Sequence, residues 1–192
     1  MKRIIQILLV FIFFLTTCKK KDTTDNAGTP KYAIGQSYGG GRIFYIDGTF
    51  QHGLITCTSE LTDNGVNTYI DWDNGSNTLT SANATAIGTG LANTNTIISV
   101  LGSSANSAAK FCKNYNGGGY TDWYLPSKDE LNQLYTNKDI VGTFGGFTTF
   151  SYWSSSESSS SKAWSQSFQS GTQSADLKKS AFGCWVRAIR NF

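Results

Sequence analysis

The chain has 192 residues, 39% of them hydrophobic and 15% charged, with a formal net charge of +3. Six Lys or Arg, but only Asp22 and Asp25, fall in residues 1–34, so from Gly35 onward ten basic side chains face eleven acidic ones. A folded region so near neutrality lacks the basic footprint that nucleic acid requires, and that partner class is excluded.

Lys2 and Arg3 precede an apolar run from Ile4 to Leu15, interrupted only by Gln6. As a helix these residues span about 18 Å, short of a hydrocarbon core of about 30 Å, so residues 1–17 read as a signal peptide. The run ends in Leu15-Thr16-Thr17-Cys18, which resembles a bacterial lipobox with Thr17 where Gly, Ala or Ser is usual. Cys18 is then the lipidated first mature residue, and the membrane is reached through that anchor. Residues 18–34 are polar, with Gly28 and Pro30, and read as a flexible tether. Lys19, Lys20 and Lys21 stand beside the anchor, where they meet anionic headgroups. One domain, 35–192, remains.

That domain opens with a predicted strand at Arg42–Ile46, a turn at Asp47-Gly48 and a second strand at Gly53–Cys57. From Glu60 to Asn95 the chain is mostly Asn, Thr, Gly and Ser, anchored by Tyr69, Ile70, Trp72, Ile87 and Leu91. So long an irregular stretch marks a functional or elaborated loop. Within it, Asp71-Trp72-Asp73-Asn74-Gly75 opens like a calcium loop, but the twelfth position is Ala82 rather than a bidentate Glu, and the EF-hand reading fails. Thr96–Leu101 reads as a short apolar turn. A helix follows at about Ser104–Tyr115, ended by Gly117-Gly118-Gly119, with Cys112 on its small-residue face.

The most informative run is Gly118 to Leu131. Ser127 followed by Glu130 is a capping box, in which each side chain satisfies a backbone N–H at the open end of a new helix. Pro126 holds Leu125 extended just before that cap. Leu131, Leu134 and Tyr135 recur at helical spacing, and the helix runs to about Asn137. After a Gly/Phe loop at Gly142–Phe150, predicted strands at Tyr152–Ser156, Trp164–Phe168 and Cys184–Arg190 alternate with polar turns. The order of elements is α+β.

Four blocks, Asp122-Trp123-Tyr124-Leu125-Pro126-Ser127, Tyr152-Trp153-Ser154-Ser155-Ser156-Glu157, Ala163-Trp164 with Phe168 and Gly171, and Val186-Arg187-Ala188-Ile189-Arg190, resemble the Lcl C-terminal domain family. They occur in that family's order, over roughly Gly35 to Phe192. The resemblance implies a C-type-lectin-like fold with two helices, a twisted antiparallel sheet and a long Gly/Asn/Thr/Ser-rich loop. It also implies binding rather than catalysis. In an oxidising envelope compartment, one disulfide among Cys57, Cys112 and Cys184 is expected. The implied fold favours Cys57–Cys184 by bringing the domain's ends together, with Cys112–Cys184 as the alternative.

Within those blocks Trp123, Trp153 and Trp164 read as core. The candidate ligand surface combines the Ser-rich turn with Ser158, Ser160 and Lys162, a wet strand face with Ser165, Ser167 and Gln169, and the next turn with Gln173. Trp185 on the last strand adds an aromatic. Short polar side chains suit adaptable hydrogen bonding. The placement is also similar to the variable region of retroelement-diversified proteins. No catalytic residue, cofactor or metal ligand is assigned. His52 has no Ser, Cys or Asp partner at a defensible spacing, and a catalytic reading needs a pocket holding it with a carboxylate or a thiol. The expectation is a lipid-anchored protein of the cell envelope, at the outer membrane, and the resemblance implies that it recognises an extracellular polysaccharide or glycosaminoglycan-like chain in adhesion. The alternative is a structural or protein-interaction module of an envelope assembly.

Overall fold

A computed structural model describes residues 31–59, 61, 69–142, 150–179 and 184–192. The expected leader, the Cys18 anchor and nearly all of the tether lie outside these residues, as does most of the Gly/Phe loop. The chain runs through β1 (Ser37–Tyr38), β2 (Gly41–Ile46) and β3 (Gly53–Thr56), then α1 (Gly90–Leu101), α2 (Ala108–Asn114), α3 (Lys128–Thr136) and the one-turn α4 (Lys138–Val141). It closes with β4 (Ser151–Glu157), β5 (Lys162–Ser167), β6 (Gln173–Leu177) and β7 (Ile189–Asn191). One antiparallel sheet has the order β1-β2-β3-β7 and the other β4-β5-β6.

Strands β2, β3 and β4 bury side chains on both faces, since successive strand residues point opposite ways. Ile43, Ile55 and Trp153 enter one hydrophobic core with Trp72, Ile97 and Trp123. Their neighbours Phe44, Leu54 and Tyr152 enter a second core with Tyr124, Leu131, Leu134 and Phe168. The segment expected as one strand from Cys184 to Arg190 instead links the sheets. Cys184 bridges Ile70 and Trp185 bridges Tyr152, whereas Ile189 pairs with Thr56 and Tyr124. A bidentate pair, Arg190 Nε and Nη2 to Asp122 at 2.7 and 2.9 Å, then locks the last sequence block onto the first.

Two helices were expected, and α1 is an addition to them. Its fully buried stripe is Gly90, Asn93, Thr94 and Ile97, and Ile98 and Leu101, from the run read as a short apolar turn, pack partly buried against the core. The polar members of the stripe are satisfied. Asn93 Nδ2 donates to Ala84 O at 2.6 Å, and Thr94 Oγ1 accepts from Leu125 N at 3.1 Å. Gly90 is required where it stands, since a Cβ there would lie 2.2 Å from Glu130 Oε2. Likewise β6 replaces an expected turn at Thr172–Ser174. It is an edge strand needing a single partner, and it pairs with β5 from Lys162↔Leu177 to Gln166↔Gln173.

The Cys57–Cys184 bridge is corrected: Cys57, Cys112 and Cys184 are three buried thiols. Cys57 N donates to Ala188 O, four residues beyond Cys184, which pairs instead with Ile70. Burial pushes the Cys184 thiol up to about 12 and raises that of Cys112 well above the usual range. Because the thiolate is the reactive form, Ellman's reagent at pH 8 will leave both unmodified in the native protein. In urea without reductant all three will titrate. A single titrating thiol among the three would restore the disulfide.

Candidate functional site

The sequence-derived surface does not assemble in one place. Ser158, Ser160 and Lys162 are exposed at one end of β5, while Ser167 and Gln169 lie at its other end, with Gln173 opposite Gln166 on β6. Six strand residues separate the two turns by roughly 17–20 Å. Ser165 is not on a wet face at all. It is 2% exposed, and its hydroxyl donates to Asp176 across the β5–β6 pair. The alternation fails because both faces of β5 are covered: Gln166, also buried, donates from Nε2 to Asn132 Oδ1 on α3 at 2.8 Å. Trp123 and Trp153 are fully buried as expected. Trp164 is only half-buried, with Lys128 Nζ 3.6 Å from its ring centroid.

Trp185 is half-buried and does take part in a surface feature. Its ring stacks on Phe150 with centroids 4.2 Å apart and planes 12° apart. Tyr69 stands edge-on to both at 6.5 Å and is 51% exposed. Trp185 N donates to Ser151 O and Phe168 N to Phe150 O, which places this cluster at the end of β5 that carries Ser167 and Gln169. Trp185 Nε1 is buried and has no hydrogen-bond partner among the described residues. Tyr69 and Phe150 went unassigned in sequence because they lie 81 residues apart in segments read as loops, and only the fold joins them to Trp185.

The long loop that delivers Tyr69 is pinned by buried polar groups. Glu157 on β4 accepts from Thr80 N at 2.8 Å and Ser81 N at 2.6 Å. Lys178 Nζ reaches Glu157 Oε1 at 2.5 Å and Thr78 O at 2.8 Å, and it lies 4.6 Å from the Trp72 ring centroid. In the calcium-like run, Asp73 Oδ1 accepts from Gly75 N at 2.7 Å. Among the described residues, no group of three or more His, Cys, Asp or Glu side chains is placed to hold a metal ion.

A separate concavity of about 350 Å³ opens at the β2–β3 hairpin. Tyr45, Asp47, His52 and Leu54 line it with Phe192 from the chain's end and Ile87 from the long loop. The pocket that a catalytic reading asked for, His52 with a carboxylate, is therefore present. The carboxylate is engaged, however: Asp47 Oδ1 accepts from Thr49 N at 3.0 Å and Thr49 Oγ1 at 2.5 Å. Those bonds hold the Asp47 carboxyl below its usual range. The lining carries no serine or cysteine nucleophile.

Two antiparallel sheets joined through the 184–190 segment, a capped helix and a long pinned loop define a C-type-lectin-like α+β domain. The Lcl C-terminal domain model matches residues 56–190, and the chain belongs to that family. No curated protein matches the chain closely enough to serve as a relative.

Proposed function

We propose that the protein is a non-catalytic recognition module of the cell envelope, held by lipid on Cys18 at the outer membrane. Its ligand is an extracellular polysaccharide or glycosaminoglycan-like chain, bound in adhesion. The observation that carries this reading is the Tyr69–Phe150–Trp185 cluster. Three rings partly open to solvent offer stacking faces, and the indole N–H of Trp185 has no partner among the described residues. Ser167 and Gln169 supply adaptable polar contacts at the same end of the sheet. Exposed large apolar residues such as Leu79, Val100 and Ile140 stand in different elements, so clustered aromatics rather than one wide apolar face support ligand binding over assembly.

The test is a glycan array probed with the purified full-length protein, at low and high salt. Binding is expected, with little loss at high salt, because ten basic and eleven acidic side chains from Gly35 onward provide no general pull on sulfated sugars. No bound glycan would overturn the reading. A pull-down of envelope proteins would then examine the protein-interaction alternative.

A further inference from the structure

We propose that the cleft at the β2–β3 hairpin is a second binding site, for one neutral pyranose unit. Its volume of about 350 Å³ stands near the lower end of ligand pockets, which run from roughly 300 to 1,000 Å³, so it suits a single ring rather than a chain. It shares no residue with the Trp185 surface.

The aromatic wall is built in advance. Gly53 has no side chain, and a Cβ there would meet Tyr45 O at 2.0 Å and Phe192 Cε1 at 2.7 Å. The Phe192 ring therefore lies directly against the β3 backbone. From elsewhere it is held edge-on by Tyr32 at 4.8 Å and Tyr38 at 5.5 Å. A wall fixed before binding loses little freedom when a ligand arrives.

The rim supplies both senses of hydrogen bond. Asp47 is bonded by Thr49 and by the backbone of His52, which hold its carboxyl below the usual range and keep an ionised acceptor at the mouth. Asn191 Oδ1 accepts from Tyr124 Oη at 2.8 Å, which turns its amide N–H₂ to donate. His52 is exposed beside them. A pyranose has an apolar C–H face for the ring wall and hydroxyls at its edge that both donate and accept. An acyl chain would leave the polar rim unmet, and an acidic sugar would face the Asp47 carboxylate.

His52 is the chain's one histidine, so its imidazole C–H signals report on the cleft without ambiguity. The full-length protein is titrated with methyl glycosides of neutral hexoses while those signals are followed by NMR. Saturable shifts in the millimolar range are expected. Ile87→Trp, which closes the mouth, should weaken binding at least tenfold, and Asp47→Asn several-fold. Ile140→Trp, at an exposed isoleucine outside the cleft, should titrate like the parent. No saturation up to roughly 100 mM, a hundredfold above a millimolar dissociation constant, would overturn the assignment. Equal affinity in the parent, Ile87→Trp and Asp47→Asn would do the same.

Discussion

Glu157→Ala will lower the unfolding free energy by about 3–5 kcal/mol, the loss seen when one partner of a buried ion pair is removed. The Glu157 side chain is 2% exposed and that of Lys178 0%, so solvent cannot replace what the mutation takes away. The substitution strands the Lys178 ammonium and leaves the N–H groups of Thr80 and Ser81 without their acceptor. Lys178→Met should cost a similar amount by stranding the carboxylate. The double variant Glu157→Gln/Lys178→Met should lose clearly less than the sum, since Gln keeps an acceptor for the loop and no bare charge remains. Urea unfolding at pH 7 measures all three. A loss under about 1 kcal/mol for Glu157→Ala would mean that the pair is hydrated and does not pin the loop.

Glu130→Ala should cost about 2–4 kcal/mol, combining a lost cap with stranded backbone donors. The carboxylate accepts from Ser127 N at 2.7 Å and from Gly88 N at 2.8 Å, so one side chain closes α3 and holds the turn before α1. Burial raises the Glu130 carboxyl, while the N–H groups of Ser127, Gly88 and Gly90 pull it back. The folded state thus holds a proton that the unfolded chain releases near about 4.3. This contribution to stability is complete below that pH and fades as pH rises through the raised folded value. Glu130→Gln should abolish that component of the pH dependence, and an unchanged slope above pH 4.3 would contradict the assignment. A Ser127→Ala loss much smaller than that of Glu130→Ala would show that the reach to Gly88 matters more than the cap.

The capping box was legible because its chemistry is local: Ser127 and Glu130 sit three residues apart and answer to the same helix end. The strands β2 and β3 were legible from apolar runs, although their burial on both faces was not. What sequence could not show is what depends on distant partners. Helix α1 hides because Asn93 and Thr94 are buried on hydrogen bonds to Ala84 and Leu125 rather than on apolar contacts. Ser165 alternates as a wet residue would, yet Asp176 and the packing around Cys184 cover it. Of the expected ligand residues, Trp185, Ser167 and Gln169 share one end of the sheet, while Ser158, Ser160 and Lys162 lie at the other. Tyr69 and Phe150 join the first group only through the fold.

The ring cluster at the end of β5 is proposed to read an extracellular glycan. The measurement that tests it most directly is the affinity of the full-length protein for its best array glycan, compared with Tyr69→Ala and Trp185→Ala, each with its melting temperature. Tyr69 is the cleaner probe, being 51% exposed and a member of neither core. A loss of at least tenfold is expected in each variant, about 1.4 kcal/mol, with the Tyr69→Ala melting temperature unchanged. Parental affinity in both variants would place the ligand elsewhere and contradict it.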